Sequence, residues 1–279
     1  MNQSPYCIWI VSPPGYLHSR CFEEVALALG EAFAALGYQA PIVTQPEQIH
    51  GTPIVLGADL LGAVAPPPGS ILFNLEQVSQ GSQWMANGYV DLLRRHQVWD
   101  YSSRNIDALA AQGVTATLCE IGYASGLSRI PAAPEPDIDA LFVGSMSPRR
   151  LAVLQEVANH GAKVIVANNA YGEERDALFA RAKLVLNIHY HEGRVLEIVR
   201  VSYLLANRIP VVSESGHDKE IEADLSEAIA FAPHQELAAT CLGLLADPAR
   251  RLALGQKGFE VFSNRDQATM LRAALASLE

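Results

Sequence analysis

Short apolar runs alternate with amphipathic stretches along the chain, and the series occurs twice. Ile8–Ser12 (IWIVS) reads as a buried strand, followed by a Pro-Pro-Gly loop and a helix from Phe22 to Leu36 that stops at Gly37. Ala40–Val43, Pro53–Leu56 and Ser70–Leu75 read as further strands. Gln97–Tyr101 and Thr115–Glu120, flanking a helix over Ser103–Gln112, complete the first series. The second begins at Ala140: strand ALFVG, helix Pro148–His160, strand KVIVA, helix Glu173–Ala182, strand LVLNI. Helix Arg194–Ala206, strand IPVVS, a short strand over Ala228–Phe231 and helices from His234 onward follow. Between the two lies Ser128–Asp139 (SRIPAAPEPDID), whose three prolines read as a linker.

Strands separated by helices imply parallel pairing. A dozen strands fit two sheets better than one. The pattern therefore predicts an α/β chain of two Rossmann-like parallel-sheet domains, residues 1–127 and 140–279, joined by linker 128–139. Gly122-Tyr123 begins the hinge, and the last helix is free to pack back on the first domain. Ligands of such sheets bind beyond the carboxyl ends of the strands, so the residues after each strand are the candidates for chemistry.

Composition narrows the classes. At 279 residues, 49% hydrophobic and 18% charged, the chain suits well-covered sheets, and no apolar run is long enough for a membrane span or a secretory signal. A cytoplasmic protein is expected. Cys7, Cys21, Cys119 and Cys241 lie too far apart for a disulfide framework or structural zinc site. A formal net charge of −10 argues against nucleic acid as a partner. An anionic ligand is then bound only where the few arginines converge.

In the second half, strand ALFVG runs into Gly144-Ser145-Met146-Ser147-Pro148-Arg149-Arg150. Gly144 permits a close turn, Ser147 suits an N-cap and Pro148 a first helical turn. Free N–H groups there favour phosphate, with Arg149 or Arg150 adding charge-assisted bonds. An ordinary capped helix with two solvated arginines is the competing reading. Farther on, RVLEIVRVSYLLA predicts a buried helix on which Arg194, Glu197 and Arg200 recur every third residue. These form either a Glu197–Arg200 ion pair with an exposed stripe, or a carboxylate for ribose hydroxyls beside a diphosphate-binding arginine. His189-Tyr190-His191-Glu192 offers a weak metal spacing.

The stretch from Asp137 to Pro248 resembles the C-terminal domain of GT-B glycosyltransferases, and most resembles short bacterial proteins of the glycosyltransferase family 1-like group. DIDALFVGSMSPRR, YGEERDALFARAKLVLNIHYHEGRVLEIVRVSYLLANRIPVVSE and LLADPARR carry the resemblance. It implies a nucleotide diphosphate-sugar donor as co-substrate, with no resident cofactor and no bound metal. Arg149 and Arg150 stand where such enzymes bind the diphosphate, Glu197 where they bind ribose, and Gly172 and Glu173 near the base pocket. The family's pair of glutamates with seven residues between is incomplete: His189 is so spaced before Glu197, and Arg200 after Glu192. The register, and whether Glu197 or Glu192 is the ribose ligand, stays open, as does the stereochemical outcome.

In the first half, Gly15, His18 and Arg20 follow the first strand. His18 titrates in the working range of a general base. Glu76, after strand ILFNL, is an alternative base or acceptor ligand; Asp100, Tyr101, Ser102 and Asn105 follow VWDYS. Gly15, Arg20 and Tyr101 are assigned to substrate. No P-loop, G-x-G-x-x-G or G-x-S-x-G motif is present. The expected function is hexosyl transfer to a saccharide, lipid-linked or other hydroxyl acceptor in surface polysaccharide, glycolipid or glycoconjugate synthesis. A nucleotide-sugar epimerase on the same fold and a non-catalytic nucleotide-sugar-binding protein are the rivals.

Overall fold

A computed structural model of the protein describes residues 5–78, 88–131, 133, 135–190 and 194–278. It divides into two compact units, Met1–Leu127 with Arg265–Glu279, and Ser128–Asn264. Each is an α/β unit on one parallel sheet, as the alternating pattern predicts.

The sheet of the first unit contains β1 (Tyr6–Ile10), β2 (Ile42–Val43), β3 (Thr52–Leu56), β4 (Ile71–Asn74), β5 (Gln97–Asp100) and β6 (Ala116–Leu118), in the order β2-β1-β3-β4-β5-β6. Every pair is parallel. The chain reverses direction across the sheet between β1 and β3, so a crevice forms beyond their carboxyl ends. Cys7, Trp9, Val55, Leu72 and Val98 fill one face of the core. The helices are α1 (Glu23–Ala35), α2 (Tyr89–Leu93) and α3 (Ser103–Ala110). Ser102 caps α3 by accepting from Asn105 N.

The last helix, numbered α10 (Gln267–Ala276) because the helices of the second unit precede it, packs against α1 within the first unit. Residues 265–279 thus cluster with the first unit, where the expected second domain runs over 140–279 with its last helix free to pack back. Gly122-Tyr123 does not begin a loose hinge. Tyr123 N–H donates to Arg265 O at 2.6 Å, and Gln267 Oε1 accepts from Gly122 N–H at 2.7 Å. A Cβ on Gly122 would lie 2.3 Å from Arg265 O, so only glycine lets the returning chain approach.

The second unit holds β7 (Ile138–Val143), β8 (Val164–Ala167), β9 (Ala182–Asn187), β10 (Val211–Glu214) and β11 (Ala230–Ala232), all parallel in the order β11-β10-β9-β7-β8. Its reversal point lies between β7 and β9. The helices are α4 (Pro148–Asn159), α5 (Gly172–Arg181), α6 (Ile198–Ala206), α7 (Lys219–Asp224), α8 (Leu237–Ala246) and α9 (Pro248–Ser263). Phe142, Leu184, Leu186 and Val212 are fully buried beneath α4 and α8.

Two expectations change here. The segment 128–139 does not hang free: Ser128 Oγ donates to Ala206 O at 2.7 Å, and Asn207 Oδ1 accepts from Arg129 N–H and Ile130 N–H at 2.9 and 2.8 Å. Strand β7 already begins at Ile138. The predicted helix Arg194–Ala206 starts only at Ile198, because Arg194 adopts φ 46° and its carbonyl accepts from His217 N–H at 2.8 Å. Arg194, Glu197 and Arg200 therefore do not share a helix face. Among the described residues no helix is long and apolar enough to cross a membrane.

Candidate functional site

The loop after β7 forms as the sequence predicts. Ser147 Oγ accepts from Arg150 N–H at 3.3 Å and Pro148 opens α4. Arg150 is not solvated. It is 2% exposed, lies between the rings of Phe142 and Tyr190, 5.0 Å from each centroid, and spends its donors on main-chain carbonyls. Nη1 donates to Ser145 O at 2.7 Å, while Nε and Nη2 donate to Ile188 O at 2.8 and 2.6 Å. It braces the loops after β7 and β9 across the reversal point of the sheet. Burial, with Arg200 and Arg149 nearby, lowers its pKa to about 10, so it stays a cation.

Glu197 sits just before α6 and not on it. Its Oε2 accepts from Asn187 Nδ2 at 2.9 Å and stands 3.0 Å from His189 Nδ1. Its Oε1 lies 4.0 Å from Arg150 Nη2 and has no hydrogen-bond partner among the described residues. Burial opposes the charge, but His189, Arg200 and Asn187 outweigh it and hold the carboxyl down to about 2. Asn187 also donates to Ser213 Oγ at 3.0 Å and accepts from Arg200 Nη1 at 3.2 Å. Arg200 Nη2 would stand 3.2 Å from a Cβ on Gly144, whose φ is 145°. The turn at Gly144 is open because a guanidinium lies against it. His189 is 1% exposed, and its Nε2 meets no hydrogen-bond donor or acceptor among the described residues. His191 and Glu192, the rest of the metal spacing, lie outside the described residues, as does the question of Glu192 as ribose ligand.

Arg149 turns toward β10. Both its Nη groups donate to the Glu214 carboxylate, and Nη1 also reaches His189 O at 3.3 Å. Glu214 is 1% exposed, its Oε2 accepts from His189 N–H at 3.2 Å, and its carboxyl is lowered as Arg149 and His189 outweigh the burial. Beyond this pair opens a cavity of about 330 Å³ lined by Arg149, Arg194, Glu214, Ser215, Pro233, His234 and Gln235. Around the ends of β7, β9 and β10, four guanidiniums (Arg149, Arg150, Arg194, Arg200) face two carboxylates (Glu197, Glu214). Among the described residues that leaves two positive charges in excess, in a chain whose formal charge is −10. Ser145 is exposed at the rim. Gly172 and Glu173 open α5, with Glu173 exposed in its first turn, and no hydrogen bond or ion pair among the described residues joins them to the arginines.

In the first unit the candidates cluster less tightly. Gly15 has φ 76° and open space around it; His18 is exposed, its ring edge-on to Tyr16 at 6.0 Å. Arg20 pairs with Glu23 at 2.8 Å on the surface, and Tyr101 is 3% exposed. Glu76 and Asp59 follow the neighbouring strands β4 and β3, each three residues past the registered pair Leu56–Phe73. Burial, then the charge of Asp59, pushes Glu76 up to about 8, and burial pushes Asp59 up to about 6. Behind them Asp100, fully buried, accepts from Asn74 Nδ2 at 2.5 Å, Ser102 N–H at 2.9 Å and Asn105 Nδ2 at 3.1 Å. Asn105 Nδ2 and Asn74 Nδ2 also hold the Glu76 carbonyl, at 2.9 and 3.0 Å.

Sequence reading assigned no role to Glu214, Asn187, Ser213, His234 or Asp59. Glu214, Asn187 and Ser213 stand at the carboxyl ends of their strands, so the rule that singled out Glu76 would have found them. His234 and Asp59 follow β11 and β3 by only a few residues.

No known family profile matches the chain. Its sequence is similar to two uncharacterised proteins of Acanthamoeba polyphaga mimivirus. It is 32% identical to L140 over 112 residues, which are 39% of this chain and 37% of that protein. It is 33% identical to L138 over 104 residues, 36% of this chain and 12% of that one. The matched region thus spans well under half of these relatives, and they are viral proteins where bacterial ones were expected. Among solved structures, Anabaena HepE in complex with UDP and glucose superposes over 99% of both chains at TM-score 0.67 and 13% identity. WaaG, a glycosyltransferase involved in lipopolysaccharide biosynthesis, covers 96% of this chain and 98% of its own at 0.61 and 11%. Sucrose-phosphate synthase of Thermosynechococcus elongatus covers 98% and 99% at 0.58 and 15%. The chain has the GT-B fold, two Rossmann-like parallel-sheet domains.

Proposed function

We propose that the chain is a glycosyltransferase that moves a hexosyl group from a nucleoside diphosphate-sugar to a hydroxyl acceptor, acting in the cytoplasm without a bound metal or resident cofactor. The observation that carries this reading is the excess of arginine over carboxylate at the reversal point between β7 and β9. A diphosphate leaving group needs positive charge and N–H donors placed before it departs. Arg149 and Arg200 supply charge, Gly144 and Ser145 supply backbone approach, and Arg150 acts through the main chain by holding Ser145 and Ile188 in place. Glu197, charged and fixed by Asn187, is the ribose acceptor, with its Oε1 left for a hydroxyl donor. Gly172 and Glu173 are assigned to the base, and His189 to the sugar end. The complexes of HepE with UDP and glucose and with UDP-glucose make UDP-glucose the first donor to try.

The acceptor side is assigned to His18, Glu76, Gly15, Arg20 and Tyr101. Glu76 near pKa 8 is largely protonated at neutral pH, so as a base it works on the alkaline side; exposed His18 is the other candidate base. The acceptor class remains a saccharide, lipid-linked or other hydroxyl.

The test is an assay of nucleotide release from UDP-, GDP-, ADP- and dTDP-sugars with and without an acceptor library. Acceptor-dependent release of one nucleotide, lost in Arg149→Ala and Glu197→Ala, supports transfer. Conversion of the donor to an isomer without acceptor would show an epimerase, and binding without turnover a non-catalytic protein.

A further inference from the structure

The cavity opens beyond β10 and β11, one strand past the reversal point, and Arg149 and Arg194, from the segments after β7 and β9, complete its lining. Arg149 serves the reversal point and the cavity alike: its Nη1 reaches the carbonyl of His189 at the end of β9, and its side chain lines the cavity. Within the cavity its charge is already matched by Glu214. Arg194 has no carboxylate partner among the described residues, although it lines the same cavity. Its backbone is held in the left-handed region at φ 46°, a conformation that costs a non-glycine residue about 1–3 kcal/mol. The surroundings enforce it: His217 N–H holds the Arg194 carbonyl at 2.8 Å, and a Cβ on Gly216 would come within 2.0 Å of that oxygen. A strained residue is thereby fixed so that a guanidinium faces the cavity.

His234 completes the wall. Its Nδ1 is 3.7 Å from Glu214 Oε2 and has no hydrogen-bond partner among the described residues. Burial and the nearby Arg149 push its pKa down, which favours the neutral ring beside the two guanidiniums. Ser215 and Gln235 contribute uncharged polar groups. Two guanidiniums against one carboxylate leave the lining with a single positive charge.

We propose that this cavity is a subsite for a single negative charge, a carboxylate carried by a sugar, with Arg194 as its counter-ion. The inference rests on the donor reading above, because it places the charged sugar next to the diphosphate. A dianionic phosphate would be under-compensated by one net charge, and a neutral hexose would leave Arg194 unmatched beside the ligand.

Calorimetric titration at fixed ionic strength tests it in two arms. In the first, the protein is titrated with UDP-glucuronate and with UDP-glucose; the expected result is at least tenfold tighter binding of the glucuronate form. In the second, UDP-saturated protein is titrated with free glucuronate and with glucose, which finds the same preference if the acid belongs to the acceptor. Gln235→Glu, at an exposed position, adds an opposing charge and brings the ratio to one or below, as does Arg194→Gln. Equal affinities in both arms with UDP still bound overturn the subsite and leave the donor site standing. Absence of UDP binding overturns both.

Discussion

At the scale of single residues, the site depends on glycines that make room and on charges that are held. Gly144 combines φ 145° with a guanidinium 3.2 Å from where a Cβ would stand. Gly144→Ala should cost about 1–3 kcal/mol of stability through the strained backbone and should displace Arg200. A lower melting temperature together with at least tenfold weaker nucleotide binding is expected; wild-type binding in a folded variant would contradict the role given to the turn. Glu76 makes a pH prediction. Its carboxyl is raised in the folded chain from 4.5 to about 8, so the native state holds the proton more tightly than the unfolded one. That contribution to stability is fully present below about pH 4.5 and is lost as the pH rises through about 8. Glu76→Gln should therefore flatten the fall in melting temperature between pH 6 and 9. If Glu76 is also the base, kcat/KM of the wild type rises through pH 8; a profile already flat from pH 6.5 would leave the role to His18.

At the scale of elements, two attachments decide whether the loops stay in place. The segment after the first unit is tied to the end of α6 through Asn207, whose Oδ1 takes the N–H groups of Arg129 and Ile130. Tyr203, on α6, is held by Arg129 at 2.8 Å and Asp176 at 2.8 Å, with Arg175 over its ring at 4.6 Å. Asn207→Ala removes two hydrogen bonds at a part-exposed site, about 1 kcal/mol net, and should appear as a drop of a few degrees in melting temperature with faster proteolysis near residue 130. In the first unit, Gln267 binds both Gly122 N–H and the Glu120 carbonyl, the latter at 3.1 Å. Gln267→Ala should loosen α10 from α1 and speed amide exchange in both helices; unchanged exchange there would contradict the anchoring.

The same elements show what could be read in the chain beforehand. Periodicity placed the strands to within a few residues, because buried parallel strands are continuous apolar runs bounded by turns. It failed at Arg194, where the apolar spacing of RVLEIVRV continues a helical pattern but His217 N–H and Gly216 hold the backbone elsewhere. It failed at Ser128–Ile130 because prolines mark an extended chain and do not say that it is bonded to α6. Local spacing after β7 and β9 singles out Gly144, Arg150 and Glu197. Their partners Asn187, Ser213 and Glu214 are brought together by the β9–β10 register, a long-range pairing that local spacing does not contain.

At the scale of the whole molecule, the distribution of charge matters more than its sum. A chain with formal charge −10 repels anions at long range, yet among the described residues two positive charges stand in excess around the carboxyl ends of β7, β9 and β10 in its second sheet. On the proposed reading such a site would bind a diphosphate through short-range contacts, while the field of the rest of the surface disfavours other polyanions. Calorimetric titration with UDP in parallel with uridine isolates this, since the two ligands differ only in the diphosphate. The expected result is binding of UDP at least a hundredfold tighter than uridine, with the difference removed in Arg149→Ala. Equal affinity for the two, or a UDP affinity that Arg149→Ala leaves untouched, would contradict an arginine site built for a diphosphate.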